Sequence, residues 1–154
     1  MNDTPLTDAE LARVQQLFER VRYAKVIGIH LDELSRGRVK MYMDARNDLR
    51  QVNDVLHGGS IASLIDTAAA FAVITLIEPD QSATTTDLTI HFLRPVDSGR
   101  ITAAARVLRA GRRLLVVTIE VFDSAQVLIS TAVTTYIRLP LPAAKAKDTN
   151  GQQC

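Results

Sequence analysis

Asp66 stands in the middle of the most apolar stretch of the chain, Ile61 to Ile77, between Leu64-Ile65 and Ala68-Ala69-Ala70. An unpaired carboxylate buried there would cost several kcal/mol, roughly, or would take up a proton. Two readings are open: a reacting carboxylate, or a structural one at a wet seam or in an ion pair. Just upstream, His57-Gly58-Gly59 opens the same apolar helix. Two glycines let a ligand come close to the backbone and leave free N–H groups at the positive end of a long helix. Such an end holds a developing oxyanion or a polarised carbonyl oxygen; the plainer reading is a glycine turn entering a helix. Ser60 follows, but no G-x-S-x-G surrounds it, so serine chemistry is poorly supported.

Spacing decides how these groups can cooperate. His57 and Asp66 are nine residues apart, about 13.5 Å of helical rise and about 900° of rotation, which sets them on opposite faces. They cannot act on one small reacting centre from the same chain. Asp66 can meet a second copy of the His57-Gly58 end only if two such helices lie side by side in opposite directions. Shared chemistry therefore implies a two-fold dimer with two equivalent sites.

The elements that position these residues follow from periodicity. Thr7 with Glu10 has the capping-box form, and Leu11, Val14, Phe18 and Val21 recur at helical spacing to about Tyr23. Ile27, Ile29 and Leu31 read as one face of a strand, and Val39, Met41 and Met43 as one face of the next, with the turn Ser35-Arg36-Gly37 between them. Residues 45 to 56 read as a polar loop. The helix after His57 runs to about Ile77 and is stopped by Glu78-Pro79-Asp80. Four strands follow: Leu88, Ile90 and Phe92; Ile101, Ala103, Ala105 and Val107; Leu115, Val117, Ile119 and Val121; and Val127, Ile129, Thr131, Val133 and Thr135. One helix apolar nearly all round, against about six mostly antiparallel strands, is an α+β plan in which the sheet must curl around the helix. The expected organisation is an N-terminal helix over 1–24, one domain over 25–138 and a flexible tail over 139–154.

Composition sets the outer limits. The chain has 154 residues, 47% hydrophobic and 23% charged, enough for one domain with a core that needs no staples. Eighteen Lys+Arg against 17 Asp+Glu give a net charge of +1, without the basic excess of a nucleic-acid binder. The one cysteine, Cys154, permits no internal disulfide, and no Cys/His cluster offers four zinc ligands, so no metal is expected. The acidic, polar start is neither a secretory nor a transit signal, and the stretch from Ile61 to Ile77, broken by Asp66, reads as a buried helix rather than a membrane span. The cytoplasm is the expected location.

Gln51-x5-His57-Gly58-Gly59-x6-Asp66, followed by an Ala-rich helix, resembles the signature of hotdog-fold acyl-CoA thioesterases and is most similar to the phenylacetate-degradation type. Thr85-Thr86-Asp87 and Phe92-Leu93-Arg94-Pro95 resemble that family's strand after the helix, and the turn near Gly111 and the last two strands also fit. The resemblance covers about residues 25 to 138. It implies a homodimer or homotetramer whose substrate is an acyl-CoA or aryl-CoA, with coenzyme A part of the substrate and no separate cofactor. It further implies that Asp66 is nucleophile or general base, that the Gly58 N–H polarises the thioester carbonyl, that His57 and Gln51 orient the thioester, and that the Thr85 hydroxyl lies near the attacking water. The chain departs from the pattern at Gln51, where Asn is usual, and at Asp54, where Gly is usual.

Chemistry agrees independently: a carboxylate can attack a thioester or activate water, and a thiolate leaves with little acid help. Fourteen Arg against four Lys favour bidentate contacts to phosphate. Arg94, Arg100, Arg109 and Arg112, with Arg106 and Arg113, read either as solvated strand ends and turns or as a group holding the phosphates of coenzyme A. His91 and His30 read as exposed or interface residues and Cys154 as inert. Two other functions stay open. A hotdog dehydratase or hydratase resembles a different layout of His and acid. A non-catalytic acyl-CoA sensor would normally carry an effector module and lack the acid.

Overall fold

The computed structural model describes residues 5–141. Its elements run α1 (Asp8–Glu19), α2 (Arg22–Ile27), β1 (His30–Ser35), β2 (Arg38–Asp44), a 3-10 turn (Asn47–Leu49), α3 (Gly58–Ile74), β3 (Gln81–Phe92), β4 (Arg100–Ala110), β5 (Leu114–Asp123) and β6 (Leu128–Pro140). One six-stranded sheet in the order β1-β2-β4-β5-β6-β3, antiparallel at every pairing, wraps α3. The expected α+β plan of a curved sheet around one long helix is the observed one. Register breaks at Leu31/Glu33, Thr85/Asp87, Val107/Arg109 and Val121/Phe122 supply the local bends that a sheet needs to curl.

The core lies between helix and sheet. Leu64, Ile65, Ala68, Ala69, Ala72 and Val73 of α3 have no exposed surface, and they meet Met41 and Met43, Ala103 and Val107, and Val117 and Ile119 from successive strands. Burying each larger side chain contributes about 1.5–3 kcal/mol. The opposite stripe of α3 is different in kind. Ala62, Ser63, Asp66, Thr67 and Ala70, spaced three and four apart, are only half-buried.

Three boundaries differ from the sequence reading, each for a local reason. The first helix stops at Glu19 rather than Tyr23. A second short helix then buries Ala24 and Ile27 at helical spacing and is closed by Gly28 in the left-handed conformation, φ +75°. Ile27 is thus a helix residue, and the strand pattern begins only at His30. α3 ends at Ile74, three residues early, where Arg13 from α1 donates to the carbonyls of Ile74 (3.2 Å) and Ile77 (3.0 Å). A cation there suits the negative end of the helix.

The last correction concerns β6. The alternation expected through Thr131, Val133 and Thr135 is out of phase beyond Ile129. Val121 pairs with Ser130 and Phe122 with Leu128, so Ile129 is the extra residue of a bulge. After it the inward positions are Ser130, Ala132, Thr134 and Tyr136, while Val133 is 47% exposed. A strand shifted by one residue turns its other face to the core. The expected tail begins at 139, but β6 continues to Pro140; its remainder, Cys154 included, lies outside the described residues.

Candidate active site

Asp66 is half-buried on the small-residue stripe of α3 and accepts two hydrogen bonds at the same oxygen. Its Oδ1 accepts from the Thr85 hydroxyl (3.0 Å) and from the Tyr136 hydroxyl (3.1 Å); the latter also donates to the backbone carbonyl of Asp66 (3.1 Å). The carboxylate is therefore neither deeply buried nor, among the described residues, paired with a cation, which sets aside the ion-pair reading. Tyr136 is 2% exposed. Burial pushes its phenol well above the ordinary range, the Asp66 carboxylate adds to the rise, and the Thr85 hydroxyl works against it. It is a protonated donor at any working pH.

The strand pairings explain why these side chains meet. Thr85 lies across from Tyr136, and Asp87 across from Thr135, so Thr86 is an extra residue in β3. Its hydroxyl donates to the Thr135 carbonyl (2.9 Å), which ties the bulge down. The bulge brings Thr85 onto the helix-facing side together with Leu88 and Ile90, which pack on the core.

The second group gathers at the N-terminus of α3. His57 is its N-cap, and His57 Nδ1 accepts from the Gly59 N–H (2.8 Å). In the neutral ring Nε2 then carries the proton and is left as a donor. A Cβ on Gly59 would sit 2.8 Å from Nδ1, so the cap needs glycine at this position. The Gly58 N–H, first in the helix, has no acceptor among the described residues. Gln51, Gly58 and Ile61, with Phe92 at the end of β3 and the residues from Leu93 to Val96 after it, line a cleft of about 280 Å³. The Phe92 ring lies 3.4 Å from where a Gly58 Cβ would be. The loop reaches this shape through Asp54, whose φ is +60°. Glycine is the usual occupant of such a conformation, and Asp is among the few residues that tolerate it. Asp54 thus adopts the left-handed conformation itself.

The described chain brings Asp66 to Thr85, and Gln51 to Gly58, but not the two groups to each other. Eight residues of helix separate Gly58 from Asp66, about 12 Å of rise. Along β3, Thr85 marks the first group and Phe92 the second. Of the arginines, Arg100 is engaged on the outer sheet face, by Asp44 at 3.0 Å and by the Tyr42 ring at 3.8 Å. Arg94 lines the cleft and donates to the Leu128 carbonyl (2.6 Å). Arg109 and Arg112 flank the β4–β5 turn, whose Arg113 carbonyl accepts from the Arg138 N–H (2.7 Å). His30, exposed, stacks on Tyr42, and His91 is exposed. Tyr136 escaped the sequence reading because the β6 bulge moves it to the inner face. The available signal was a Tyr in a strand of a curled sheet, whose hydroxyl needs a partner when buried.

One long helix inside a curved antiparallel sheet is the hotdog fold, and a carboxylate with a free helix-end N–H is the equipment of a hydrolase acting on an activated carbonyl. The sequence profile of the Thioesterase superfamily matches residues 53–130, and the chain belongs to that superfamily and is a thioester hydrolase. Its sequence is 33% identical to the medium/long-chain acyl-CoA thioesterase YigI of Salmonella typhimurium over 130 residues, covering 75% of this chain and 84% of that one. Among solved structures it is similar to a thioesterase family protein from Silicibacter pomeroyi (27% identity, TM-score 0.81, covering 85% of this chain and 98% of that one). It is also similar to the PaaI protein of the E. coli phenylacetic acid degradation operon (27% identity, TM-score 0.79, 84% and 93% covered). No helix among the described residues is long and apolar enough to cross a membrane.

Proposed function

We propose that the protein hydrolyses acyl-CoA or aryl-CoA thioesters at two equivalent sites shared between paired copies. The observation that carries this reading is the division of the site along β3. That strand is twelve residues long and forms one edge of the sheet. An antiparallel pairing of two β3 edges centred on Thr89, with Thr86 left out of the ladder as the bulge residue, sets Leu88 of one chain across from Ile90 of the other and Thr85 across from Phe92, all on the helix-facing side. Asp66 then faces the partner subunit's Gly58, and the two α3 helices run antiparallel with their small-residue stripes together. Ala62, Ser63 and Ala70 allow the close approach this needs.

In this arrangement the thioester oxygen lies on the partner subunit's Gly58 N–H, with Gln51 and His57 Nε2–H beside it. Asp66 removes a proton from water as the water attacks the carbonyl carbon, or attacks that carbon itself to form a mixed anhydride that water then hydrolyses, freeing the acid and restoring Asp66. In either route the C–S bond breaks, and the thiolate leaves and is protonated. The same pairing carries Arg94 of one chain toward Arg109, Arg112 and Arg138 of the other, where they hold the phosphates of coenzyme A. Arg100, held by Asp44, does not take part. Coenzyme A enters as part of the substrate, and no cofactor is called for. The exposed Leu114 and Val133 of the outer sheet face support a further pairing into a homotetramer, and the cytoplasm, where acyl-CoA is handled, is the proposed location.

The test is turnover of a panel of acyl- and aryl-CoA thioesters followed with a thiol-reactive dye. Wild-type protein releases coenzyme A, and Asp66→Asn lowers kcat by roughly 100-fold or more with the fold intact. Tight binding without turnover would make the protein a sensor. Full turnover by Asp66→Asn would return Asp66 to a structural role.

A further inference from the structure

We infer that Tyr136 is the positioning residue of the site: with Thr85 it holds Oδ1 of Asp66 in place, leaving Oδ2 as the oxygen that acts on the thioester. This rests on the reading of Asp66 as the reacting carboxylate.

Both donors converge on one oxygen, Thr85 at 3.0 Å and Tyr136 at 3.1 Å, and Oδ2 has no donor among the described residues. The two donors are not equivalent. Thr85 is exposed and belongs to an edge strand. Tyr136 is 2% exposed on a strand paired on both sides, to Leu115 of β5 and to Thr85 of β3. The sheet and the packed ring therefore fix the phenol oxygen. The same phenol donates to the Asp66 backbone carbonyl. It thus ties the carboxylate to its own helical turn and limits its rotamers. Tyr136 has almost no surface on which to touch a substrate, so it acts through Asp66.

Tyr136→Phe tests this, because it removes one oxygen and keeps the packed ring. The expected result is a fall in kcat of roughly 10-fold, the lower part of the range for a general-base defect, with KM changed less than about two-fold. 4-Fluorophenylalanine at this position fills the space of the hydroxyl with an atom that cannot donate; the same roughly 10-fold fall is expected, and it serves if the Phe variant does not fold. A residue that acts through Asp66 matters only while Asp66 is present, so adding Tyr136→Phe to Asp66→Asn is expected to lower the residual kcat by less than about two-fold. A residue that only packs would change the melting temperature and lower kcat equally in both backgrounds. An equal fall in both backgrounds, or a kcat within about two-fold of wild type for either replacement of Tyr136, with Asp66→Asn inactive, overturns the inference. If Asp66→Asn is itself active, the underlying reading of Asp66 fails instead.

Discussion

Gly58 carries its role in the backbone, so only changes to the backbone can test it. Alanine keeps the N–H, and its Cβ would meet the Phe92 ring at 3.4 Å, ordinary van der Waals contact. Proline removes the N–H and is tolerated in a first helical turn. Gly58→Ala is therefore expected to fold and retain most activity. Gly58→Pro is expected to lose roughly 3 kcal/mol of transition-state stabilisation, the worth of one oxyanion donor. The measurement is kcat/KM for both variants, alongside binding of a non-hydrolysable acyl-CoA analogue, because the proline ring could also crowd the thioester. If Gly58→Pro binds the analogue normally and hydrolyses as fast as Gly58→Ala, the N–H is not the donor. At this scale the sequence was informative where residue type alone signals chemistry: an acid among alanines, and paired glycines at a helix start. It was silent on Tyr136, because membership in the Asp66 cluster depends on strand phase, and on His57 as a cap, because that depends on the rotamer of one ring.

Among the elements, α1 shows how a peripheral helix is tied to the fold. Thr7 and Glu10 cap each other reciprocally, and Glu10 also holds Arg36 of the β1–β2 turn at 2.8 Å. The Thr7 backbone N–H first, and Arg36 second, pull the Glu10 carboxyl from its ordinary value of 4.5 down to about 2. A depressed folded value means stability that is complete above 4.5 and is lost as pH falls through about 2. Gln can still serve in a capping box, so Glu10→Gln removes only the charge. Its melting temperature is expected to lie below that of the wild type at pH 7, with the gap closing between about pH 4.5 and pH 2. A gap that does not change with pH would show that the charge contributes nothing. The capping box was legible because it is local, four residues long. The split into α1 and α2 and the bulge at Ile129 were not, since helical and alternating spacings both fit Ile27 and Ile29, and one extra residue in a ladder leaves no local trace.

At the scale of the molecule, a site divided between chains can be rebuilt from two broken ones. Asp66→Asn and Gly58→Pro each inactivate both sites of their own homodimer. In a mixed dimer one site carries both lesions, and the other combines the intact Asp66 of one chain with the intact Gly58 of its partner. Equal mixing with free exchange is therefore expected to restore roughly a quarter of the wild-type sites. Activity measured before and after co-refolding of the two variants checks this. No recovery, with mixed dimers demonstrated by light scattering and tag pull-down, would confine the site to one chain. The expectation of a two-fold arrangement comes from helix geometry alone, which sets His57 and Asp66 on opposite faces.

The run Thr84-Thr85-Thr86 gives the bulge in β3 a built-in tolerance. If the bulge relaxed into a regular ladder, alternation from Leu88 would turn Thr86 toward Asp66. If Thr86 were deleted, the same alternation would leave Thr85 there. Either way a hydroxyl reaches the carboxylate. The chain thus protects this contact by redundancy, spelling the same side chain three times across the bulge.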